Sequence, residues 1–408
     1  MTFDIVIVGA GPAGLCFARS LADSGLSVAL VETRDEASLR EPDFDGREIA
    51  LTHHSVHLLR QLGILERIPA DQVHLLRDAV VMDGDGLSGM WLDHTEGDRR
   101  QLGFLVANQL IRRAAFAALG GQDRLTLMCG QRVSGIEPGH DWSRVSLADG
   151  QTLVARLVVA ADSRFSETRR AMGIAADSHD FGKTMLVCRM DHKKAHNHVA
   201  WEWFGRGQTL ALLPLAEHQS SVVITLADVA IRSLLAAPEA EFAAEIAARF
   251  QQRLGWMRLA SARYAYPLVA VYSRRFTAER FALVGDAAVG MHPVTAHGFN
   301  FGLLGQDLLA RAVSRAHATQ ADIGDPRVLL QYAHALRRAT RPLYLATGAL
   351  ARLYTDDGGP GRFLRRIALS AGAHLRPVRR ALIQGLTQAG DSDAATYPLR
   401  GLLRSLRR

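Results

Sequence analysis

Cysteine is nearly absent. Cys16, Cys129 and Cys188 are the only three in 408 residues, and no two share a metal-binding spacing. This excludes a disulfide-stapled scaffold and a structural zinc site, and it fits a reduced, cytoplasmic setting. Aromatic residues are scarce at 7%, and they are not interleaved with Arg along any strand-like run. With no zinc-finger spacing and no dimeric basic helix, the net charge of +7 does not read as a nucleic-acid module. No apolar run approaches the roughly 20 residues needed to span a bilayer. The chain passes from Met1-Thr2-Phe3 directly into Asp4-Ile5-Val6-Ile7-Val8, so no charged leader region is seen and no secretory signal is expected. Acid is missing from the far end: between Arg362 and Arg408 ten Arg face two acids, Asp391 and Asp393.

What is present is 48% hydrophobic residue content, enough for two or three domains or one large α/β body. Residues 4–8 read as a buried parallel strand, followed by a Gly-rich turn and an amphipathic helix to about Asp23. Leu26 to Val31 is a second strand, ending in Glu32. Residues 49–62 read as a helix carrying His53, His54 and His57, and 108–119 as another. Residues 131–137, 143–148 and 152–160 alternate as a small meander turning at Ala148-Asp149-Gly150. From 182 to 227 the texture changes to four β-rich runs (183–190, 198–204, 208–214, 220–226), which predicts an antiparallel sheet. Residues 228–255 carry one long helical pattern. Residues 281–285 are a strand entering a second Gly-containing turn, and 298–316 a helix. The remainder is helical to about 390, broken at 356–360.

The fold class is therefore α/β: a discontinuous Rossmann-like domain (1–75, 104–180 and 275–330), a second domain with an antiparallel sheet (76–103 and 181–274), and a helical C-terminal region with a basic tail (331–408). Histidines 192, 196 and 198 sit beside Lys193 and Lys194 with no carboxylate to complete a set. They read as a solvated loop, not a metal site.

Three motifs carry chemistry. In Gly9-Ala10-Gly11-Pro12-Ala13-Gly14, Gly9 permits the tight turn, Gly11 lets the backbone approach a pyrophosphate, and Gly14 lets the helix pack on the strand. The helix N-terminus offers N–H groups to phosphate oxygens. Glu32, 18 residues after Gly14, can accept bonds from ribose hydroxyls and repels a 2′-phosphate. NAD and FAD both remain open at this point. The second motif, Gly285-Asp286-Ala287-Ala288 followed by His292-Pro293 and Gly298-Phe299-Asn300-Phe301-Gly302, favours FAD. Asp286 at a strand end can bond ribityl hydroxyls, and the helix starting near 298 can face the flavin edge that gains charge on reduction. The third, Asp162-Ser163-Arg164-Phe165-Ser166-Glu167-Thr168-Arg169, places a carboxylate and a guanidinium after an apolar strand, with Ser166 as N-cap.

These motifs, in this order, resemble the FAD-dependent aromatic hydroxylases of the para-hydroxybenzoate hydroxylase type, and more closely the ubiquinone-biosynthesis hydroxylases. Asp45-Gly46-Arg47-Glu48-Ile49-Ala50-Leu51, Val106-Ala107-Asn108 and Leu375-Arg376-Pro377-Val378-Arg379 support the likeness, which covers nearly the whole chain. It implies a flavoprotein monooxygenase that takes electrons from NAD(P)H, forms a flavin C4a-hydroperoxide with O₂ and hydroxylates a polyprenylated quinol or phenol, demethoxyubiquinol first among them. It implies that Arg47, Asn108, Asp162, Arg169, Asp286 and Pro293 contact the cofactor. The cofactor set also takes in Thr33, Arg34, Val133, Gly298, Phe299 and Asn300. His297 and Pro293 are the candidates at the flavin face.

The chain departs from the family pattern at Ser163, Val289, Thr295-Ala296-His297 and Gly305. The residues leave other outcomes open: hydroxylation of a small soluble aromatic, a non-catalytic flavin-binding partner in a biosynthetic complex, or a halogenase or isoprenoid reductase. Trp201-Glu202-Trp203 matches half of a halogenase signature that Phe204-Gly205-Arg206 breaks. Trp201, Trp203, Phe204 and Leu212 are the expected lining of a substrate cavity. Other ubiquinone-biosynthesis proteins are candidate partners. The basic tail, with Leu399, Leu402, Leu403 and Leu406 between its Arg residues, is a candidate for peripheral contact with the inner face of the membrane.

Overall fold

The computed structural model describes residues 1–84, 89–96, 100–205, 207–291 and 297–355. Strand Thr2–Val8 lies at the centre of the first sheet because it is apolar on both faces. Ile5, Val6 and Ile7 are all fully buried, as a strand covered on both sides requires. It pairs in parallel with Val28–Val31 on one side and Thr152–Ala160 on the other. Leu125–Met128 continues the sheet in parallel beyond Val28–Val31, and Phe281–Leu283 beyond Thr152–Ala160. The expected meander is present: Val133–Glu137 and Ser143–Leu147 fold back antiparallel onto Thr152–Ala160. Helices Pro12–Ser20, Asn108–Ala117 and Gly298–Ala318 share one buried cluster with this sheet, and the helix Pro326–Thr355 packs on Gly298–Ala318.

The second sheet is built around the 17-residue strand Ala176–His192. Gln219–Ala227 and Tyr264–Ser273 flank it antiparallel, and Gln208–Pro214 and Val199–Gly205 follow in turn. Asp78–Asp83 joins parallel to Val199–Gly205, and Gly89–Leu92 closes that edge. Because side chains alternate along each strand, the sheet has two distinct faces. One packs Leu186, Cys188, Trp203, Leu212 and Ile224 under Phe242 and Ile246 of the helices that follow. The other carries Met185, Val187 and Leu268 with Val223, Tyr264 and Tyr266, and, nearer its edge, Ala79, Val81, Met90 and Leu92.

Several local expectations change. Residues 49–62 are not one helix. Glu48–Leu51 is a strand paired with Gly103–Ala107, Thr52 caps the next turn by accepting from the Ser55 N–H, and the helix is His53–Gln61. The pattern over 228–255 is two helices, Asp228–Ala236 and Glu239–Arg249, because Pro238 forces extended backbone on Ala237. Trp203 and Leu212 belong to the helix-covered core, with Trp201 packed against it and under the Arg253 guanidinium, so they do not line a cavity on the opposite face. The histidine turn is not solvated throughout: His192 and His196 are buried. Both nitrogens of His192 are bonded, to the Lys194 carbonyl and the Ser220 hydroxyl, and His196 bonds the Ala216 carbonyl. No helix among the described residues is long and apolar enough to cross a membrane. Pro293, the break at 356–360 and the basic segment 362–408 lie outside the described residues.

Candidate functional site

The first turn shows three glycines under three different constraints. Gly9 leaves the strand with φ +105°, and a Cβ there would lie 2.7 Å from the Ala161 carbonyl oxygen. A Cβ on Gly14 would lie 2.0 Å from the Gly9 oxygen, so only glycine lets the helix seat on the strand. Gly11 differs. It is the N-cap residue with ordinary extended backbone, φ −71° and ψ 175°, and a Cβ there meets nothing nearer than the Ala161 oxygen at 3.9 Å. The fold itself does not need Gly11; it leaves room above the helix N-terminus. Pro12 opens the helix, and the first-turn N–H groups of Ala13 and Gly14 have no acceptor within it. That arrangement suits an anion.

Glu32 ends its strand buried. One carboxylate oxygen accepts from the Ala10 N–H at 2.7 Å; the other accepts from the Arg34 N–H at 3.0 Å, Arg34 Nε at 3.2 Å and the Thr33 hydroxyl at 3.1 Å. Burial works against its ionisation, but the bonds from Arg34 and Ala10 outweigh it and hold the carboxyl below the usual carboxylate range. Gly130 and Gln131 donate their N–H groups to the Arg34 and Glu32 carbonyls, which brings Val133 alongside this end of the site.

The third motif lies against the first. Gly9 nearly touches Asp162 Cα. Asp162 accepts from the Thr168 hydroxyl at 2.9 Å through one oxygen, while its other oxygen is buried without a partner. Ser166 caps its helix by accepting from the Arg169 N–H. Arg169 is buried, donates to the carbonyls of Arg164 and Ala287, and keeps Nε unpartnered. The second motif completes the enclosure. Gly285, φ +63°, abuts Ala13, where a Cβ would come within 2.7 Å of the Ala13 methyl, and Gly302 presses on Gly285 in turn. Asp286 accepts from Arg164 at 2.9 Å, and Arg164 also donates to the Val269 carbonyl of the second sheet.

Arg47 and Asn108 meet on one carboxylate. Arg47 Nη2 and Asn108 Nδ2 donate to the same Asp45 oxygen at 2.6 and 2.7 Å. The Tyr266 hydroxyl donates to the Asp45 carbonyl at 2.7 Å, and Arg47 lies over the Tyr266 ring. Desolvation opposes the Arg47 charge, but Asp45 and then the fields of Tyr266 and Asp286 sustain it. Next in sequence, the Glu48 side chain is wholly buried and paired with Arg189 of the second sheet at 2.6 Å, with one oxygen unpartnered. Burial lifts its pKa to about 7 against the pull of Arg189.

At the start of the long helix, Asn300 spends its side chain on structure. It accepts from the Thr52 N–H at 3.1 Å and donates to the Ala50 carbonyl at 2.8 Å, locking Gly298 and Phe299 beside the 48–52 segment. His297 is buried at the N-cap, its ring centroid 5.9 Å from that of Phe301.

These residues fit FAD. The open space over Gly11 has room for a pyrophosphate, and Glu32 with Val133 lies at the end where an adenosine would sit. The unpartnered Asp162 oxygen and Asp286 face the same enclosure from the other side. Asp45, Glu48, Arg164, Arg189 and Tyr266 were not singled out from sequence. Asp45 and Glu48 flank Arg47 and were within reach of a charge-pattern reading, and Arg164 lies inside the third motif; Arg189 and Tyr266 had no local signal.

The comparisons agree. The sequence matches the FAD binding domain family over residues 2–341. It is 42% identical over 388 residues to the ubiquinone hydroxylase UbiM of Neisseria meningitidis, covering 94% of this chain and 84% of that protein. It is 35% identical over 383 residues to the ubiquinone hydroxylase UbiL of Rhodospirillum rubrum, covering 93% and 88%. The p-nitrophenol 4-monooxygenase PnpA of Pseudomonas putida superposes with a TM-score of 0.76 at 18% identity, over 95% of this chain and 98% of that one, a likeness of fold. A double-glycine cradle, a paired second turn and a sheet inserted above them, with this kinship along almost the full length, place the chain in the family of FAD-dependent hydroxylases to which the ubiquinone hydroxylases belong.

Proposed function

We propose that this chain hydroxylates the aromatic ring of a polyprenylated quinol or phenol in ubiquinone biosynthesis, with demethoxyubiquinol as the first candidate. The observation that carries the reading is the apolar face of the second sheet. Met185, Val187, Val223, Leu268, Tyr264 and Tyr266 lie together on it. Gly46, in the Asp45–Arg47 loop, is pressed against Tyr264 and Val187. An apolar ring with a prenyl tail suits such a ceiling better than a charged metabolite does. Two relatives, both ubiquinone hydroxylases, support the same substrate class.

When bound, FAD carries electrons from a reduced nicotinamide, NAD(P)H, to dioxygen. Gly9, Gly11, Ala13, Gly14 and Glu32 would hold its ADP half. Asp162, Asp286, Arg47 and Asn108 would surround the flavin half, with His297, Gly298 and Phe299 at the helix end beside it. The chain's own work is positioning and exclusion of water. Segments 1–75, 104–180 and 275–330 form the cofactor domain in this reading, and 76–103 with 181–274 the ceiling. The basic tail would meet an anionic bilayer from the cytoplasmic side, where a prenylated substrate resides, and other ubiquinone-biosynthesis proteins would hand it on.

Quinone profiling of a strain lacking this chain is the test. Accumulation of a prenylated intermediate short of one ring hydroxyl supports the reading, and the intermediate names the ring position. An unchanged quinone profile, with purified protein hydroxylating only small soluble phenols, overturns it.

A further inference from the structure

Glu202 stands alone on the ceiling of this site. Its strand neighbours fix where it points. Glu202 lies opposite Val81 on one side and Ala211 on the other. Ala211 lies opposite Val223, Val223 opposite Val187, and Val187 opposite Tyr264. Cross-strand partners share a face, so these six residues form one row across the sheet. Val187 and Tyr264 are the two side chains that meet Gly46 of the cradle. The flanking Trp201 and Trp203 belong to the opposite, helix-covered face. A single carboxyl thus sits in a row of Val, Ala and Tyr on the side that looks toward Arg47.

A carboxyl in such surroundings is normally paired. Glu202 makes no hydrogen bond or ion pair with any described residue, although part of its surface stays accessible. The titratable groups on this face of the neighbouring strands are Asp83, Lys183, Arg189, Asp191, Tyr264 and Tyr266, with Asp191 taken up by Gln219 and Arg258. Lys183 is turned to the Gly207 carbonyl, and Arg189 is held by Glu48. Burial is the one cause acting on Glu202, and it raises the pKa to about 8. The chain holds an unpartnered, titratable acid among apolar neighbours with part of its surface open to solvent, an arrangement that fits a proton-handling group.

Resting on the function proposed above, we propose that Glu202 takes the proton of the substrate's ring hydroxyl. The substrate O–H bond breaks, a carboxyl O–H forms, and the electron pair stays on the ring oxygen, enriching the ring. The ring carbon then forms its C–O bond as the O–O bond of the dioxygen reduced by NAD(P)H breaks, and the departing oxygen keeps that electron pair and leaves as water after protonation. The attacked carbon then loses its hydrogen as a proton to water, and Glu202 returns its own proton to the ring oxygen, restoring the hydroxyl.

The test uses full-length, FAD-loaded protein with geranylated phenols of graded acidity. Glu202→Gln keeps shape and removes the proton acceptor. It is expected to keep its flavin and melting temperature and to lose about 100-fold or more in kcat/KM with ordinary phenols. The loss should shrink as the phenol becomes more acidic, and the acidic limb of the wild-type pH profile should vanish; Glu202→Asp should retain that limb. Independently of activity, the protonated-carboxyl band in infrared difference spectra should titrate in wild type, shift when geranylphenol binds, and be missing from Glu202→Gln. Equal activity and pH profile in wild type and Glu202→Gln overturn the assignment while leaving the function intact. A wild type that hydroxylates none of the phenols overturns the function and this role with it.

Discussion

Substituting Gly11 by Ala separates what the fold needs from what the cofactor needs. The backbone at Gly11 is one any residue adopts, and a methyl there meets only the Ala161 oxygen at 3.9 Å. Two small effects on the apoprotein oppose each other. Ala is a poorer N-cap than Gly by a few tenths of a kcal/mol or more, while losing a glycine stiffens the unfolded chain by about 0.4–1 kcal/mol in the other direction. Apoprotein stability should therefore stay within about 0.5 kcal/mol of wild type. The methyl occupies the space a pyrophosphate would take, and overfilling a close contact costs about 1–3 kcal/mol, a 5- to 150-fold weaker FAD affinity. Thermal melting with and without FAD reads both quantities. At FAD equal to 100 times its wild-type dissociation constant, wild type gains about 2.7 kcal/mol; a variant weakened about 30-fold gains about 0.9. Gly14→Ala is the contrast, since its methyl would lie 2.0 Å from the Gly9 oxygen and the apoprotein itself should lose stability. Wild-type FAD affinity in Gly11→Ala, or an apoprotein that melts as low as Gly14→Ala, would refute the reasoning.

Three further outcomes follow from the geometry. Asn300→Ala strips partners from the Thr52 N–H and the Ala50 carbonyl and should cost about 1–3 kcal/mol in chemical denaturation. Gly46→Ala, at φ +75° with Tyr264 Cδ2 2.6 Å from the new methyl, should push the ceiling from the cradle and raise the KM for a prenylated phenol more than it changes FAD affinity. Asp322 is held below the usual carboxylate range: burial opposes its charge, but Arg280, the Gly324 N–H and Arg156 overcome it. A depressed carboxyl stabilises above its unfolded pKa, so the deficit of Asp322→Asn should be full at neutral pH and should fade as the pH falls below about 4. Denaturation midpoints across that range check it.

Glycine-rich turns and strands of strong pattern were legible in the sequence because their causes are local. Gly14 is required by the Gly9 oxygen five residues away, and Gly9 and Gly285 by the positive φ of their own turns, although each of these two also presses on a distant residue, Ala161 or Ala13. The alternation over 183–227 marked an inserted sheet correctly. Alternation shows that Trp201 and Trp203 share a face; it does not show which face the helices 228–249 will cover, and that removes Trp201, Trp203 and Leu212 from the expected cavity lining while Phe204 stays on the other face. Residues 49–62 depart from the helical expectation because Glu48–Leu51 owes its extended form to Gly103–Ala107, half a hundred residues away, and a short apolar run fits strand or helix equally. Pro238 is a local signal that divides the long helical pattern over 228–255. Arg189 became a site residue only when a second sheet was laid over the first.

The knot of contacts at Ala13 also has a consequence in time. Ala13 is made early, yet its packing partners Gly285 and Gly302 come almost three hundred residues later, and the strand beside Thr2–Val8 starts only at Thr152. At about 5–20 residues per second, some 15 to 60 seconds of synthesis separate the phosphate loop from the glycines that back it. The nascent chain holds half a binding site through most of its translation. Flavin capture is thereby deferred to a nearly finished polypeptide, and a ribosome stalled before residue 302 should release a colourless product.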